Sequence, residues 1–306
     1  MLQIPIVYVT DNNYVLPTAV SITSLLANKT QDTFYQINIL GLQLADEHKV
    51  KLENLSSGQA QIKVIVIPEN KYADCNKDTA TVYVSGATYA KFDIINLLPD
   101  YDKVIYIDGD TLVLKDLRDL FITDLMDNYA GVVRGIYAGQ KYNRYFDAGV
   151  MLLNLRKIRE DNIYARAMRL INLGVQFKYM DQDIFNIVFE DKILFLPFIY
   201  NYMPTTLSVQ KLANIYGLDV TAVMAMLKHP VIIHLAGLKK PWTYDEAPFA
   251  DLWQEYFNKS AYKTEKLYKA NISGRLAADD PSFAQREALL DSLSAYSKIK
   301  LSQIKQ

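Results

Sequence analysis

The first half of the chain alternates short apolar runs with segments of mixed polarity. The apolar runs are rich in β-branched and aromatic residues, which is typical of strands buried on both faces. Four such runs occur: IPIVYVT (4–10), QINILGL (36–42), QIKVIVIP (61–68) and KVIYID (103–108). Residues 17–29, 45–56 and 86–99 lie between them and place apolar residues three and four apart, as helices do. This alternation predicts an α/β fold, with a mostly parallel, Rossmann-like sheet covered by helices on both faces.

The second half of the chain has a more mixed pattern. Tyr145–Leu155 is predicted to be a strand, and Asp181–Asp191 a helix with Asp181 near its N-cap. His229–Trp242 is predicted to be a short strand that runs into a loop containing glycine and proline. Beyond Trp242 the pattern is helical and charged. We therefore predict one main domain over 1–245 and a small C-terminal helical extension over 246–306.

Composition narrows the classes of function. The chain has 306 residues and a formal net charge of −1, which gives no electrostatic reason to expect nucleic acid as a partner. Its one cysteine, Cys75, cannot form an intrachain disulfide and favours a reducing compartment. The N-terminus lacks a basic signal-peptide region, and no uncharged run is long enough to span a bilayer. We expect a cytoplasmic protein.

Two carboxylates stand at the end of the fourth predicted strand. Asp108 and Asp110 flank Gly109, which permits a turn that lets the two side chains converge. Hard oxygen ligands at such a position suit Mg²⁺ or Mn²⁺, with phosphate oxygens completing the shell. The alternative is a polar loop tip with two solvated carboxylates, which is the commoner meaning of an isolated D-x-D pair.

A second chemistry uses a similar pair. Phosphatases of the haloacid dehalogenase type also place D-x-D after an apolar strand, as nucleophile and acid/base. In those enzymes Gly-Thr follows the second aspartate and the pair lies on the first strand. Here Thr111 and Leu112 follow Asp110, and the strand is about the fourth, so this alternative fits less well.

Seven motifs in order resemble the family 8 glycosyltransferases. The chain is similar in this way to bacterial lipopolysaccharide galactosyl- and glucosyltransferases and to glycogenin, from about Ile4 to Trp242. The motifs are YVTDNNY, TYAKF, YIDGDTLV, FDAGVMLLNL, YMDQDIFN, NYMP and HLAGLKKPW. The resemblance implies an A-type glycosyltransferase fold and a retaining, metal-dependent transferase that uses a UDP-sugar.

The resemblance also implies where the nucleotide binds. Asp11 and Asn13 would hold the uridine and ribose, and Lys91 would face the diphosphate or the sugar. Lys91 replaces a common arginine, so only a point charge remains. Without the resemblance, Asp11 would be interpreted as a helix cap and Lys91 as a solvated helix residue. The residues expected at the uracil edge and against the base are Val9, Thr10 and Tyr14.

The same resemblance implies a metal site. His234 would be the third ligand beside Asp108 and Asp110, whereas a lone histidine at a strand end is more often a core residue. Gly237 would let backbone N–H groups approach the phosphate, and Lys240 would offset its charge. Mixed nitrogen and oxygen ligands favour Mn²⁺, with Mg²⁺ as the alternative.

The donor sugar is expected between two motifs. Asp147, Ala148 and Gly149 match the segment under the sugar, and Asp181 and Gln182 match residues that reach its hydroxyls and anomeric face. An amide is a poor nucleophile, so we favour substitution on one face of the sugar, in which the leaving phosphate takes the acceptor proton. Asp183 keeps a covalent route open. The alternative for Asp181, Gln182 and Asp183 is that they form an ordinary charged helix N-terminus.

Because the chain departs from the family pattern at two places, the donor hexose can be either glucose or galactose. Many members have Asn-Ala-Gly where this chain has Asp147, and an ionised aspartate cannot donate a hydrogen bond as an amide does. Members also often carry a sugar-binding aspartate where this chain has Arg134 and Gly135.

The acceptor is expected to be a glycan or a lipid-linked glycan used in cell-surface polysaccharide or lipopolysaccharide synthesis. Variable segments around 68–85 and after Met203 are expected to contact it. Lysines in the last helix are a weak candidate for peripheral contact with the inner membrane surface, and a solvated helix is the alternative. A non-catalytic nucleotide-sugar-binding protein is a third alternative for the whole chain.

Overall fold

We describe a computed structural model of the chain. The described residues are 1–72, 86–136, 144–173, 177–205, 207–237 and 239–267. Side chains at positions 69 and 70 are not described.

A seven-stranded mixed sheet forms the centre of the described part of the chain. The strand order is β3-β2-β1-β4-β7-β6-β8, and a separate two-stranded sheet pairs β5 with β9. The strands are β1 (Leu2–Asp11), β2 (Thr33–Leu42), β3 (Ala60–Ile67), β4 (Lys103–Ile107), β5 (Thr111–Val113), β6 (Ala130–Arg134), β7 (Phe146–Asn154), β8 (Ile193–Phe195) and β9 (Ile232–His234).

Strand direction determines which residues share an edge of the sheet. Strands β1, β2, β3 and β4 are mutually parallel, with Ile6 opposite Ile105 across β1 and β4. Strand β7 is antiparallel to β4 and pairs Val150 with Ile107. The beginning of β7 therefore lies beside the end of β4, and residues near 147–149 reach the edge where β1 and β4 finish.

Helices lie between and after the strands. Short 3-10 helices lie at Glu69–Tyr72 after β3, at Gly86–Asp93 before β4 and at Phe198–Asn201 after β8. The α-helices are α1 (Val15–Ala27), α2 (Asp46–Glu53), α3 (Ile94–Leu97), α4 (Arg118–Ile122), α5 (Leu155–Glu160), α6 (Ile163–Asn172), α7 (Met180–Phe189), α8 (Val209–Tyr216), α9 (Val220–Leu227) and α10 (Ala250–Phe257).

Two hydrophobic cores cover the two faces of the sheet. In β1, Ile6 and Tyr8 join one core, and Val7 and Val9 join the other. The first core includes α1, α10 and the β5–β9 sheet, and the second includes α6, α7 and the 3-10 helix at 86–93. Both faces of the central strands are apolar because both are covered, which explains the unbroken apolar runs of the sequence.

The α/β class, the mostly parallel sheet and the helices on both faces are confirmed. The predicted helix at 86–99 consists of a 3-10 helix over Gly86–Asp93 followed by α3. Asp181 lies near the start of α7 as predicted, two residues after the capping position Tyr179, which makes no side-chain cap. The predicted C-terminal helix falls mostly on residues 268–306, outside the described residues.

Candidate active site

The aspartate pair occupies the turn between β4 and β5. Asp108 directly follows β4, and its backbone N–H donates to the carbonyl of Gly149 at 2.7 Å. Asp110 directly precedes β5 and is buried. Between them, Gly109 packs against α1 so closely that an added Cβ would collide with the hydroxyl of Thr18 and lie 3.2 Å from its Cβ. Glycine is therefore required for helix α1 to lie against this turn.

His234 reaches the aspartate pair through strand pairing. Strand β9 is antiparallel to β5, with His234 opposite Thr111. The ring Nε2 lies 3.3 Å from Oδ1 of Asp110 and 3.8 Å from Oδ2 of Asp108. One ligand atom from each of the three side chains falls within 4.8 Å of the others. Two carboxylates and one imidazole in this arrangement form a donor set that fits a divalent cation.

Polar groups also lie on the other side of the His234 ring. Nδ1 is 3.0 Å from Oδ1 of Asn201 and 3.4 Å from Oδ1 of Asp147. Gly149 lies against the ring, and an added Cβ there would be 2.7 Å from Nδ1 of His234 and 2.9 Å from Oδ2 of Asp108. Gly149 therefore fills the place beside Asp108, Asp110 and His234 where any side chain would collide with two of these three residues.

Two lysines lie among the carboxylates. Nζ of Lys91 is 3.1 Å from Oδ1 of Asp108 and 2.8 Å from Oδ2 of Asp181, and the side chain is buried. Nζ of Lys240 is 2.5 Å from Oδ2 of Asp110 and donates to the carbonyl of Leu235 at 2.8 Å. The interpretation of Lys91 as a solvated helix residue is therefore wrong.

The charges of this group are unbalanced. Asp108, Asp110, Asp147 and Asp181 face two ammonium groups, those of Lys91 and Lys240. Two negative charges are then left over when His234 is neutral. A divalent cation carries the charge that would compensate them.

The closeness of the charged groups changes the pKa values of Asp108, Asp110 and His234. Burial raises the pKa of Asp108. Burial acts in the same direction on Asp110, but Lys240 and His234 outweigh it and hold the pKa of Asp110 well below its usual range. Burial would lower the pKa of His234, but Asp110 and Asp147 raise it to about 10. A cation that binds His234 must displace its proton, so low pH opposes binding.

A second hydrogen-bonded group surrounds Gln182 at the start of α7. Its Oε1 accepts from the backbone N–H of Ala148 at 3.1 Å, and its Nε2 donates to the hydroxyl of Tyr145 at 3.0 Å. That hydroxyl donates to Oδ1 of Asp183 at 2.6 Å, and Oδ2 of Asp183 accepts from the backbone of Tyr179 at 2.9 Å. Burial raises the pKa of Asp183. Both Asp183 oxygens are therefore hydrogen-bonded within the protein.

Asp181 turns away from this group. Its side chain is buried, accepts a hydrogen bond from the hydroxyl of Thr88 and pairs with Lys91. Asp181 therefore links helix α7 to the 3-10 helix at 86–93. It reaches the aspartate pair only through Lys91, which contacts both Asp181 and Asp108.

The predicted uridine-binding residues line the end of β1. Oδ1 of Asp11 accepts from the backbone N–H groups of Asn13 and Tyr14, both at 2.9 Å, just before α1. The hydroxyl of Tyr14 donates to Oδ2 of Asp110 at 3.2 Å, and its ring meets Trp242 edge-on, with ring centroids 5.7 Å apart. The turn at Asp11 is thus tied to the aspartate pair through Tyr14.

The nearby loops complete this edge of the sheet. Val9 and Thr10 are both buried and directly precede Asp11 in β1. Gly237 has a φ of +116°, which favours glycine, and an added Cβ there would meet nothing within 4 Å. Gly237 therefore leaves open space beside the backbone of the β9 loop, as an approaching ligand requires.

The match to the family model follows the same residues. The model described as Glycosyl transferase family 8 matches residues 5–246. This chain belongs to glycosyl transferase family 8. The A-type glycosyltransferase fold predicted from the motifs is confirmed with it, since solved structures of that fold superpose on the chain.

Two bacterial glycosyltransferases are among the relatives of this family 8 chain. It is 27% identical over 282 residues to the lipopolysaccharide 1,2-glucosyltransferase of Escherichia coli, covering 85% of this chain and 79% of that one. It is 29% identical over 254 residues to the glycosyltransferase GlyF of Streptococcus pneumoniae, covering 82% of this chain and 60% of the longer GlyF. Both relatives are transferases, as this family 8 chain is.

A solved structure supports the same assignment. The galactosyltransferase LgtC, in complex with donor and acceptor sugar analogues, superposes with a TM-score of 0.67 at 25% identity. The match covers 84% of this chain and 96% of LgtC. Among the described residues of the family 8 chain, no helix is both long and apolar enough to cross a bilayer.

The sequence alone did not identify three residues of the site. Asn201 lies in the motif NYMP but received no role, Tyr145 was interpreted only as part of a strand, and Thr88 only as part of a helix. Their hydrogen bonds join segments far apart in the chain. Two of the quoted motifs contain such residues, TYAKF with Thr88 and NYMP with Asn201, but neither motif indicates the hydrogen-bond partner.

The close packing of Gly149 gives a direct prediction. Gly149→Ala should weaken Mn²⁺ binding by about 10-fold or more, because the new methyl group displaces His234 or Asp108 from the ligand group. Overpacking should also lower the free energy of unfolding by about 1–3 kcal/mol. Isothermal titration with Mn²⁺ and urea unfolding measure the two effects. Gly58→Ala is the control, since a Cβ there meets nothing within 4 Å. Native Mn²⁺ affinity in Gly149→Ala would contradict the arrangement.

Proposed function

We propose that this chain is a metal-dependent, retaining glycosyltransferase that moves glucose or galactose from a UDP-sugar to a glycan acceptor. The observation that carries the proposal is the convergence of Asp108, Asp110 and His234 at one edge of the sheet. We assign the three side chains as ligands of Mn²⁺, with Mg²⁺ as the alternative. The reaction belongs to cell-surface polysaccharide or lipopolysaccharide synthesis in the cytoplasm, and the acceptor is a glycan or a lipid-linked glycan.

Two of the similar proteins support this choice of substrates. One is a glucosyltransferase of lipopolysaccharide, and the other is a galactosyltransferase that binds donor and acceptor sugar analogues. Those substrates belong to those proteins. For this chain, the turn at Asp11, Asn13 and Tyr14 is the proposed uridine and ribose site, and Val9 and Thr10 border it.

The proposed chemistry begins with charge at the leaving group. A divalent cation held by the three ligands would supply Lewis-acid stabilisation of the negative charge that grows on the nucleoside diphosphate. Lys240 lies in the same group, beside Asp110, and would add positive charge for the phosphates. Backbone N–H groups near Gly237 would meet the phosphate where the chain leaves open space.

Asp147, Ala148 and Gly149 remain the proposed segment beneath the donor sugar. Ala148 is the direct link to the anomeric face, since its N–H holds Oε1 of Gln182. Asp181 is assigned to the sugar hydroxyls indirectly, through the Lys91 that it shares with Asp108. Lys91 then lies between Asp108, at the diphosphate end of the donor, and Asp181, at its sugar end. Its positive charge would act on the diphosphate.

The hydrogen bonds around Gln182 favour substitution on one face of the sugar. Asp183 is a poor candidate for the nucleophile of a double displacement, because both of its oxygens already accept hydrogen bonds. Gln182 is fixed through both ends of its amide and would stabilise positive charge at the anomeric carbon by its dipole. The acceptor hydroxyl would then give its proton to the leaving phosphate oxygen as the new glycosidic bond forms.

One screen separates this proposal from the two alternatives. Purified protein with Mn²⁺ is offered UDP-glucose, UDP-galactose and other UDP-sugars, with and without glycan acceptors, and released UDP is measured. Acceptor-stimulated release supports a transferase. Release of phosphate from simple phosphomonoesters would support the phosphatase, and binding without turnover would support a non-catalytic protein.

The donor nucleotide should be recognised through uracil. UDP with Mn²⁺ should raise the melting temperature more than GDP or ADP with Mn²⁺ does, because a ligand that binds only the folded state stabilises it. Differential scanning fluorimetry at equal nucleotide concentrations measures this. The nucleotides in Mg²⁺ and in chelator provide the controls. Equal or greater stabilisation by GDP would contradict the uridine assignment.

Asp110→Asn should reduce sugar transfer by about 1,000-fold, equivalent to about 4 kcal/mol of activation free energy, because it removes a charged metal ligand. Initial rates of UDP release at saturating Mn²⁺ measure the loss. The matched control is Asp119→Asn, an exposed aspartate in the first turn of α4. Near-native rates for Asp110→Asn in metal-free buffer would rule out the metal-dependent mechanism.

The stereochemical outcome tests the proposed route. An α-linked donor should give an α-linked product, detected by the anomeric coupling in proton NMR before mutarotation. Gln182→Ala should lower the rate by about 100-fold, the scale of one electrostatic contact, and leave the product α-linked. Intact-mass spectrometry should find no glycosyl-enzyme adduct in either protein. A β-linked product would refute retention, and an adduct on Asp183 in the native enzyme would refute the one-face route.

A further inference from the structure

The two ring nitrogens of His234 face different residues. Nε2 faces the carboxylates of Asp110 and Asp108, whereas Nδ1 lies 3.0 Å from the amide oxygen of Asn201 and 3.4 Å from Oδ1 of Asp147. Asn201 has no exposed surface, and His234 is only 4% exposed. Asn201 is therefore the nearer of the two partners of Nδ1 in a buried place.

Asp147 fixes the direction of the Asn201 amide. Nδ2 of Asn201 donates to Oδ1 of Asp147 at 2.8 Å, and the same carboxylate oxygen accepts from the backbone N–H of Gly149 at 2.9 Å. An ionised carboxylate only accepts hydrogen bonds. A reversed amide would place two oxygens face to face, so Oδ1 of Asn201 must be the atom that points at His234.

This direction sets the tautomer of the histidine. The amide oxygen only accepts, so Nδ1 of His234 must carry a hydrogen. The lone pair of a metal-binding imidazole is then on Nε2, the nitrogen that faces Asp110 and Asp108. A histidine ligand that donates its second N–H to an oxygen is held in orientation and made more basic.

The backbone holds Asn201 in place beside β9. The N–H of Tyr202 donates to the carbonyl of Ile232, and the N–H of His234 donates to the carbonyl of Tyr202, both at 2.9 Å. Asn201 ends a 3-10 helix and is joined to the strand that carries His234. The amide and the imidazole are therefore positioned by the same backbone contacts.

We propose that Asn201 and Asp147 together are positioning residues for metal binding: Asp147 orients the Asn201 amide, and that amide holds His234 with Nε2 free for the cation. The proposal deepens the metal site of the proposed function and rests on it. The backbone N–H of Gly149 holds the same Asp147 oxygen that accepts from Asn201, so this acceptor stays in place.

The decisive variant is Asn201→Leu, which has similar volume but offers no acceptor to Nδ1. It should bind Mn²⁺ and Co²⁺ about 10- to 100-fold more weakly, as the loss of a partner behind a histidine ligand does. Isothermal titration gives the Mn²⁺ affinity, and the visible absorption spectrum of bound Co²⁺ reports on the geometry of its ligands. If Asn201 had a purely structural role, the Co²⁺ spectrum would not change. The control is Asn28→Leu, since Asn28 donates to Val113 and Tyr256 away from the ligand group.

A second pair of variants covers the case in which Asn201→Leu does not fold. Asp147→Leu removes the oxygen that accepts from Nδ2 of Asn201 and from the N–H of Gly149, so the Asn201 amide loses its fixed direction. It should weaken Mn²⁺ binding by about 10-fold. Asp147→Asn is the matched control, because an amide oxygen can accept both hydrogen bonds, and its Mn²⁺ affinity should stay within about threefold of native.

The outcomes separate the two proposals. Native Mn²⁺ affinity and a native Co²⁺ spectrum in folded Asn201→Leu would overturn the positioning role. So would folded Asp147→Leu that keeps native Mn²⁺ affinity. If His234→Ala itself keeps native Mn²⁺ affinity, the metal site of the proposed function fails instead.

Discussion

The site depends on holding like charges together at one edge of a sheet. Asp108 and Asp110 are close enough for one histidine nitrogen to approach both carboxylates. Such a group is unfavourable unless positive charge lies among the carboxylates, and Lys91 and Lys240 provide part of it. The remaining negative charge is what makes the edge a place for a cation.

Lys91 extends this charge balance beyond the ligand group. It lies between Asp108 and Asp181, and its ammonium group is also 4.9 Å from the ring centroid of Tyr106. Burial would lower the pKa of Lys91, but the two carboxylates raise it. A charged lysine in this place connects the aspartate pair to helix α7, which carries Gln182. The segments at 108–110 and 181–183 are therefore linked within the folded protein by one buried ammonium group.

Sequence patterns predicted the parts of this structure that repeat along the chain. The apolar runs located β1 to β4, because strands covered on both faces leave an unambiguous signal. They did not reveal β5, β6 or β8, which have three to five residues each and little internal pattern. Motif order predicted that Asp108, Asp110 and His234 would meet. It could not predict that Asp181 would pair with Lys91, because that contact depends on how two distant segments pack.

The pairing of β5 with β9 has a consequence for how the protein folds. The aspartates and the histidine are separated by roughly two fifths of the chain, and Thr111 must lie opposite His234 before all three ligands can meet. Closing so long a loop costs more chain entropy than forming a local helix or hairpin does. Contacts of such long range tend to slow folding, so the ligand group should be among the last parts of the molecule to assemble. A newly made chain would then acquire its shape first and its capacity to retain a cation afterwards.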